Sequence, residues 1–347
     1  MVSSVLQTAF LGDMILTTPL LERLATEGPV HVVATPANAE VLANHPAVAS
    51  IIELDKRGDD RGVRGIRRVA RALRDTGAST AYLAQGSLRT AAIARLAGIP
   101  HRIGFATSPG RVLYTRAVPF QPALHHAQRL WQLASPPGEM GDVPTLRPSL
   151  YPSADEYNRV RALLAACGVG PDEPLLALAP GSVWATKRWP SYSELAAAIA
   201  GDATLGNDRV VILGAATDAP LAQAITEAVA AVGGKPVVDT TGRLSLLGSA
   251  ALLMRARVLV SNDSAPLHLA SAMNTPTIAL FGPTMPAFGF GPLSTRHATL
   301  EQTALTCRPC HAHGPQRCPL THWKCMRELT ATRVLDQVRL TRSPNRQ

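Results

Sequence analysis

Three short segments of this 347-residue sequence combine residue types that do chemistry with turns that expose them. The first is Phe10-Leu11-Gly12-Asp13. Gly12 permits a tight turn with close backbone approach. Asp13 beside it is either a general base for a hydroxyl group or the cap of the helix that follows. The second is Ala179-Pro180-Gly181-Ser182, followed by Thr186-Lys187-Arg188-Trp189-Pro190. A Gly-Ser turn leading to two cations suits a diphosphate held by backbone donors and a point charge. The competing reading is a surface loop whose basic side chains reach for water. The third is Ser261-Asn262-Asp263-Ser264-Ala265-Pro266-Leu267-His268. Asp263 or Ser264 can cap a helix whose first turn holds Pro266. Its free N–H groups would then form an anion site. His268, one turn in, either reaches that anion or is structural. The dinucleotide fingerprint is absent because Gly12 is a lone glycine in its turn, and the second segment is not a P-loop because its glycine and lysine spacing is wrong.

Turns of this kind must be positioned by strands and helices. Strands are expected near Ser4–Ala9, Val30–Ala34, Ser50–Leu54, Thr80–Leu83 and Arg102–Gly104. Helices fit near Pro19–Thr26, Ala37–Asn44, Val63–Asp75, Leu88–Ala97 and His125–Leu133. A proline-rich stretch opening at Ser135-Pro136-Pro137-Gly138 and running to Pro152 has no period and reads as a linker. Beyond it the alternation starts afresh. A helix near Asp155–Cys167 precedes strands near Leu175–Ala179, Val210–Leu213, Pro236–Asp239, Val258–Val260 and Thr277–Phe281. Helices near Ser193–Ala200, Pro220–Val232, Leu246–Ala256 and Pro266–Ala272 separate them. Strand–helix alternation with short connections implies parallel sheets covered on both faces. The expectation is therefore two doubly wound domains, residues 1–150 and 151–347, with a cleft between the carboxyl ends of their sheets.

Bulk properties fit this outline. The chain is long enough for two domains of ordinary size. With 46% hydrophobic and 17% charged residues it should bury proper cores. No apolar run approaches the roughly 20 residues of a membrane-spanning helix. Met1 to Thr18 has no basic region and carries Asp13, so a secretory signal is not expected. A cytoplasmic location with reduced cysteines follows. The net charge of +9, from 34 Lys+Arg against 25 Asp+Glu, suggests an anionic partner or a composition rich in arginine. Only 4% of residues are aromatic, which argues against an RNA-stacking surface.

Residues 56–74 hold eight cations, of which Arg64, Arg67, Arg68 and Arg71 share one helical face. That face meets either an anionic ligand or solvent. Cys307, Cys310, Cys318 and Cys325 lie close enough in sequence for a structural zinc site. Disulfides or free thiols are the alternatives. Cys167 falls in an apolar helical pattern.

Taken together, the three turns resemble glycosyltransferase family 9, the lipopolysaccharide heptosyltransferases of GT-B fold. The likeness runs from Phe10 to about Met326 and includes Arg102-Ile103-Gly104-Phe105, His125-His126 and Thr241-Gly242-Arg243-Leu244-Ser245-Leu246. The cysteine-containing tail is similar to that of the heptosyltransferase II-like members. The resemblance implies an inverting transferase that uses ADP-heptose and needs no catalytic metal or other cofactor. Asp13 then corresponds to the general base and Lys187 to the cation on the donor phosphates. Ser182, Asp263, Ser264, Ala265 and His268 correspond to the donor grip. Asp218 stands where the family commonly has glutamate for the ribose hydroxyls. Arg64, Arg68 and Arg102 would face an acceptor bearing acidic sugars and phosphates. That acceptor is the lipopolysaccharide inner core, met at the cytoplasmic face of the inner membrane by a peripherally bound enzyme.

A family 9 enzyme with another nucleotide sugar or glycan acceptor would carry the same motifs. A two-domain NAD-dependent oxidoreductase would share the α/β architecture but should show a complete Gly-x-Gly-x-x-Gly turn, which is missing. A nucleic-acid-binding protein would explain the charge and cysteines but leave the phosphate-type turns unused.

Overall fold

The computed structural model describes residues 1–137 and 143–342, so Gly138 of the expected linker lies outside the described residues. The chain divides into two compact units, Met1–Tyr151 and Pro152–Gln347.

In the first unit the strands are β1 (Ser3–Gln7), β2 (Val30–Ala34), β3 (Ser50–Glu53), β4 (Thr80–Leu83), β5 (His101–Phe105) and β6 (Arg116–Val118). They pair in parallel in the order β3-β2-β1-β4-β5-β6. The helices are α1 (Leu11–Ala25), α2 (Pro36–Glu40), α3 (Gly62–Asp75), α4 (Leu88–Leu96) and α5 (His126–Gln132). Every residue of β1 is buried, as a central strand covered on both faces must be. Leu6, Val33, Leu54, Val69, Leu73, Leu83 and Ile93 fill the core on one side of this sheet.

The second unit repeats the plan. Its strands are β7 (Leu175–Ala179), β8 (Arg209–Ile212), β9 (Val238–Asp239), β10 (Ala256–Asn262), β11 (Thr277–Phe281) and β12 (His297–Glu301). The order is β12-β11-β10-β7-β8-β9, again parallel. Counted from β7, this is the same winding as in the first unit. The helices are α6 (Ala154–Ala166), α7 (Tyr192–Ala200), α8 (Ala219–Ala231), α9 (Leu246–Arg255), α10 (Ala265–Ala272), α11 (Lys324–Arg327) and α12 (Ala331–Thr341). Each unit thus has its first and fourth strands side by side at the centre, with the chain leaving in opposite directions. At such a switch point the strand-to-helix loops diverge and open a crevice beyond the carboxyl ends.

Several elements differ from the sequence expectation. Helix α1 begins at Leu11 rather than near Pro19, so Asp13 lies in its first turn. Pro19 sits inside the helix and has no N–H for the Ile15 carbonyl. The Thr18 hydroxyl donates to that carbonyl instead, at 2.9 Å. The edge strands β6 and β12 carry too little apolar pattern to stand out, since each is largely half-exposed. Helix α12 was also not anticipated. It places Val334, Leu335 and Val338 in the core of the second unit, against α7 and β11.

Buried among these elements of the first unit is His45, which is 4% exposed and stands edge-on to the Tyr151 ring at 5.0 Å. Its Nδ1 accepts from the Ala47 N–H at 3.3 Å. Burial pushes its imidazole down to about 4. Between that value and about 6.5 the unfolded chain binds a proton that the folded chain refuses, so stability falls as pH drops through this window. At pH 5 the loss amounts to about 2 kcal/mol. A shallower melting-temperature slope between pH 7 and 5 is expected in His45→Gln, and an unchanged slope would show that other groups carry it.

Candidate active site

In the first unit the turn after β1 places Asp13 at the switch point between β1 and β4. Its Oδ2 accepts from the Phe10 N–H at 3.2 Å, closing the helix start as a residue in the first turn can. Oδ1 faces His126 Nε2 at 3.3 Å. Both side chains are largely buried, 16% and 14% exposed. The two readings of Asp13 are therefore compatible: one oxygen caps while the other stays in the polar site.

Lys56, the first cation of the basic stretch and not among the expected site residues, donates from Nζ to the Thr8 carbonyl at the same turn. Burial, then Arg89 and Arg57, lower its pKa. The arginine face of α3 is formed as expected, with Gly65, Val69, Ala70 and Leu73 buried on the opposite side. Its members differ in employment. Arg68 grips Asp60 with Nε and Nη2 at 2.7 and 2.5 Å and also donates to the Glu53 carbonyl. That bond holds the Asp60 carboxyl below its usual range. Arg102 donates to the carbonyls of Leu113, Ile99 and Pro100, tying the β5 edge together. Both guanidinium groups thus have structural partners, whereas Arg64 is exposed.

In the second unit the neighbouring strands β7 and β10 run in parallel and in register, with Leu178 opposite Val260 and Ala179 opposite Ser261. Their turns therefore leave the sheet together. Lys187 donates to Asp263 Oδ2 at 2.6 Å, and the Thr284 hydroxyl donates to the same oxygen at 2.7 Å. Lys187 and Asp263 are each only 8% exposed. An ion pair this buried is held by its geometry and its added hydrogen bond. Asn262 joins the two turns, accepting from the Trp189 N–H at 3.1 Å and donating to the Pro180 carbonyl at 2.9 Å. Ser264 is the N-cap of α10 in extended backbone, and its own side chain makes no capping bond to the first turn opened by Ala265, its hydroxyl donating instead to the Asn262 carbonyl. Ser182 spends its Oγ on the Trp184 N–H at 3.3 Å. His268 is buried, edge-on to Phe290.

Asp218 closes the other side of this switch point. Its Oδ2 accepts from the Ala215 N–H at 3.0 Å. A Cβ on Gly181 would lie 2.3 Å from that oxygen, so only glycine lets the β7 turn and this carboxylate meet. The cysteine-bearing segment braces the same region. Arg308 donates to the Thr284 carbonyl at 2.8 Å and pairs with Glu301 at 2.8 Å. Gln316 accepts from the Ala185 N–H and donates to the Val183 carbonyl, at 3.1 and 3.0 Å. Gly314, at φ +87°, packs against Lys187, where a Cβ would lie 3.1 Å from Cε. Thr284, Arg308 and Gln316 carried no signal in the sequence, because each acts on a loop far away in the chain.

Cys307, Cys310 and Cys318 line a pocket of about 200 Å³ with His322, whose Nε2 is 3.8 Å from Cys307 Sγ. Cys325 is buried in the core with Trp189 and Met326. Burial, then the neighbouring thiols of Cys310, Cys318 and Cys307, push it up to about 11. Among the described residues, no group of three or more His, Cys, Asp or Glu side chains is gathered as a metal requires.

Two switch-point crevices, one with an oriented carboxylate and one with a buried lysine beside an open helix start, match a known family in sequence. Residues 66–321 match the model of glycosyltransferase family 9 (heptosyltransferase). The chain belongs to glycosyltransferase family 9. Lipopolysaccharide heptosyltransferase 1 of Pseudomonas aeruginosa is 30% identical over 322 residues, covering 88% of this chain and 84% of that protein. Lipopolysaccharide heptosyltransferase 2 of Salmonella typhimurium is 26% identical, covering 82% and 83%. The solved structure of the E. coli ADP-heptose lipopolysaccharide heptosyltransferase II has a TM-score of 0.78 at 24% identity, with 98% of each chain covered. The two six-stranded parallel sheets are thus the GT-B architecture of this family 9 enzyme. No helix among the described residues is long and apolar enough to cross a membrane.

Proposed function

We propose that this family 9 transferase moves heptose from ADP-heptose to the inner core of lipopolysaccharide, with the second-heptose position favoured over the first. The first unit then binds the acceptor and the second the donor. The observation that carries this reading is Lys187, buried beside Asp263 and Thr284 at the mouth of the second sheet, next to the uncapped first turn of α10. A pre-set cation and helix start of this kind favour the charge that grows on a departing diphosphate, where fixed dipoles stabilise most. In the reaction Asp13 takes the acceptor hydroxyl proton and the acceptor oxygen bonds to the anomeric carbon. The carbon–oxygen bond to the diphosphate breaks on the opposite face, so the configuration inverts. The transition state is oxocarbenium-like. ADP leaves as an anion, so no separate acid is needed.

In this reading Asp218 meets the ribose hydroxyls from beside Gly181. Ser182, Ser264, Ala265 and His268 complete the donor grip, and Asp263 holds Lys187 until phosphate competes for it. On the acceptor side Arg64 supplies exposed charge, while Arg68 and Arg102 shape the surface that presents it. An acceptor carrying acidic sugars at the cytoplasmic face of the inner membrane suits the basic α3.

A thermal-shift series with ADP, UDP, GDP and NAD tests the donor. A ligand binding only the folded state adds about 2.7 kcal/mol at a hundredfold excess over Kd. Stabilisation by ADP alone is expected. Preference for UDP or GDP would replace the sugar nucleotide and keep the mechanism, whereas preference for NAD would overturn the donor site itself.

A further inference from the structure

Two adjacent histidines open α5, and they do different work. His125 is the N-cap: its Nδ1 accepts from the Ala127 N–H at 3.2 Å, while Gln128 Oε1 accepts from the His125 N–H at 3.0 Å. That reciprocal arrangement fixes the helix start and therefore the direction in which His126 leaves it. Further along, Arg23 of α1 stacks on the Trp131 ring at 3.7 Å and donates to the Trp131 carbonyl at 3.1 Å, locking α5 against α1. His126 is thereby held with Nε2 3.3 Å from Asp13 Oδ1.

We propose that His126 is the positioning residue for Asp13 in acceptor deprotonation; this inference rests on the reading of Asp13 as general base. An ionised carboxylate only accepts hydrogen bonds, so the imidazole nitrogen facing it carries the proton. Asp13 then has the Phe10 N–H donating to Oδ2 and His126 Nε2 facing Oδ1 at 3.3 Å. The N-cap of its own helix on one oxygen and the imidazole from α5 on the other fix the plane of the carboxyl group, leaving a lone pair on each oxygen for the acceptor hydroxyl. Without His126 the group turns about its remaining bond, and its attack geometry is lost in part. A base displaced by fractions of an ångström loses rate more than affinity.

The experiment is steady-state kinetics on His126→Ala, His126→Gln and Asp13→Asn with ADP-heptose and a defined core acceptor. His126→Ala should lower kcat about 10- to 100-fold while both KM values stay within about twofold, since the base contributes at most about 10⁴-fold. His126→Gln should recover most of that loss, because its amide N–H reaches the same carboxylate. A His126→Ala enzyme with wild-type kcat beside an inactive Asp13→Asn would overturn the inference and leave the base in place. Equal damage in the Ala and Gln variants would also overturn it. An active Asp13→Asn enzyme would remove the base reading, and this inference with it.

Discussion

Asp13→Asn is expected to lose about three orders of magnitude in kcat while keeping wild-type ADP binding. A correctly placed general base contributes about 10²- to 10⁴-fold, and the amide has no basicity with which to accept the acceptor proton. ADP binding should persist because the residues proposed to hold it belong to the second unit, whereas Asp13 belongs to the first. A comparison with Asp13→Ala separates chemistry from folding. Asn keeps an oxygen for the Phe10 N–H and with it the start of α1. Ala leaves that donor without its side-chain acceptor and should cost about 1 kcal/mol, as other lost helix caps do. Both variants should be inactive, and only Ala should melt earlier. Turnover near wild type in the Asn variant would require another base.

Lys187→Ala is expected to fail in two measurable ways. Removing the cation from the leaving diphosphate should lower kcat by about 10²- to 10³-fold, the range seen when one fixed transition-state donor is lost. The donor KM should rise as well. Separately, Asp263 is left buried with only the Thr284 hydroxyl on its oxygen. Breaking a buried pair by removing one partner costs about 3–5 kcal/mol, or roughly 6–20 °C in the melting temperature of a unit this size. The double variant Lys187→Ala/Asp263→Ala removes both charges and should recover much of the melting temperature but none of the activity. Recovery of activity in the double variant would mean that Lys187 serves only to neutralise Asp263. No recovery of stability would mean that the pair is not coupled as the geometry indicates.

The strand–turn–helix rhythm was readable because parallel strands covered on both faces are short apolar runs, and the helices between them carry their own period. From it came two doubly wound units and the turns holding Asp13, Lys187 and Asp263. Element starts were less readable. A helix beginning at Leu11 is invisible when its N-cap is Phe10 and a proline sits eight residues in, because the compensating bond from Thr18 is itself a feature of the fold. The edge strands β6 and β12 bury too few residues to announce themselves, whereas α12 buries Ala331, Val334, Leu335 and Val338 at regular helical spacing, a signal the pattern carried and the reading missed.

What the sequence determined by itself was which residues stand at the carboxyl ends of strands, since that depends only on local pattern. Which of them touch was decided by the tertiary structure. Lys187 and Asp263 are 76 residues apart and meet because β7 and β10 are sheet neighbours in register. Asp218 and Gly181 meet because β8 flanks β7 on the other side. Asp13 meets His126 because α5 packs on α1, a contact spanning more than a hundred residues of chain. Strand order and helix docking are set by burial of the whole apolar surface, which no local window of sequence contains.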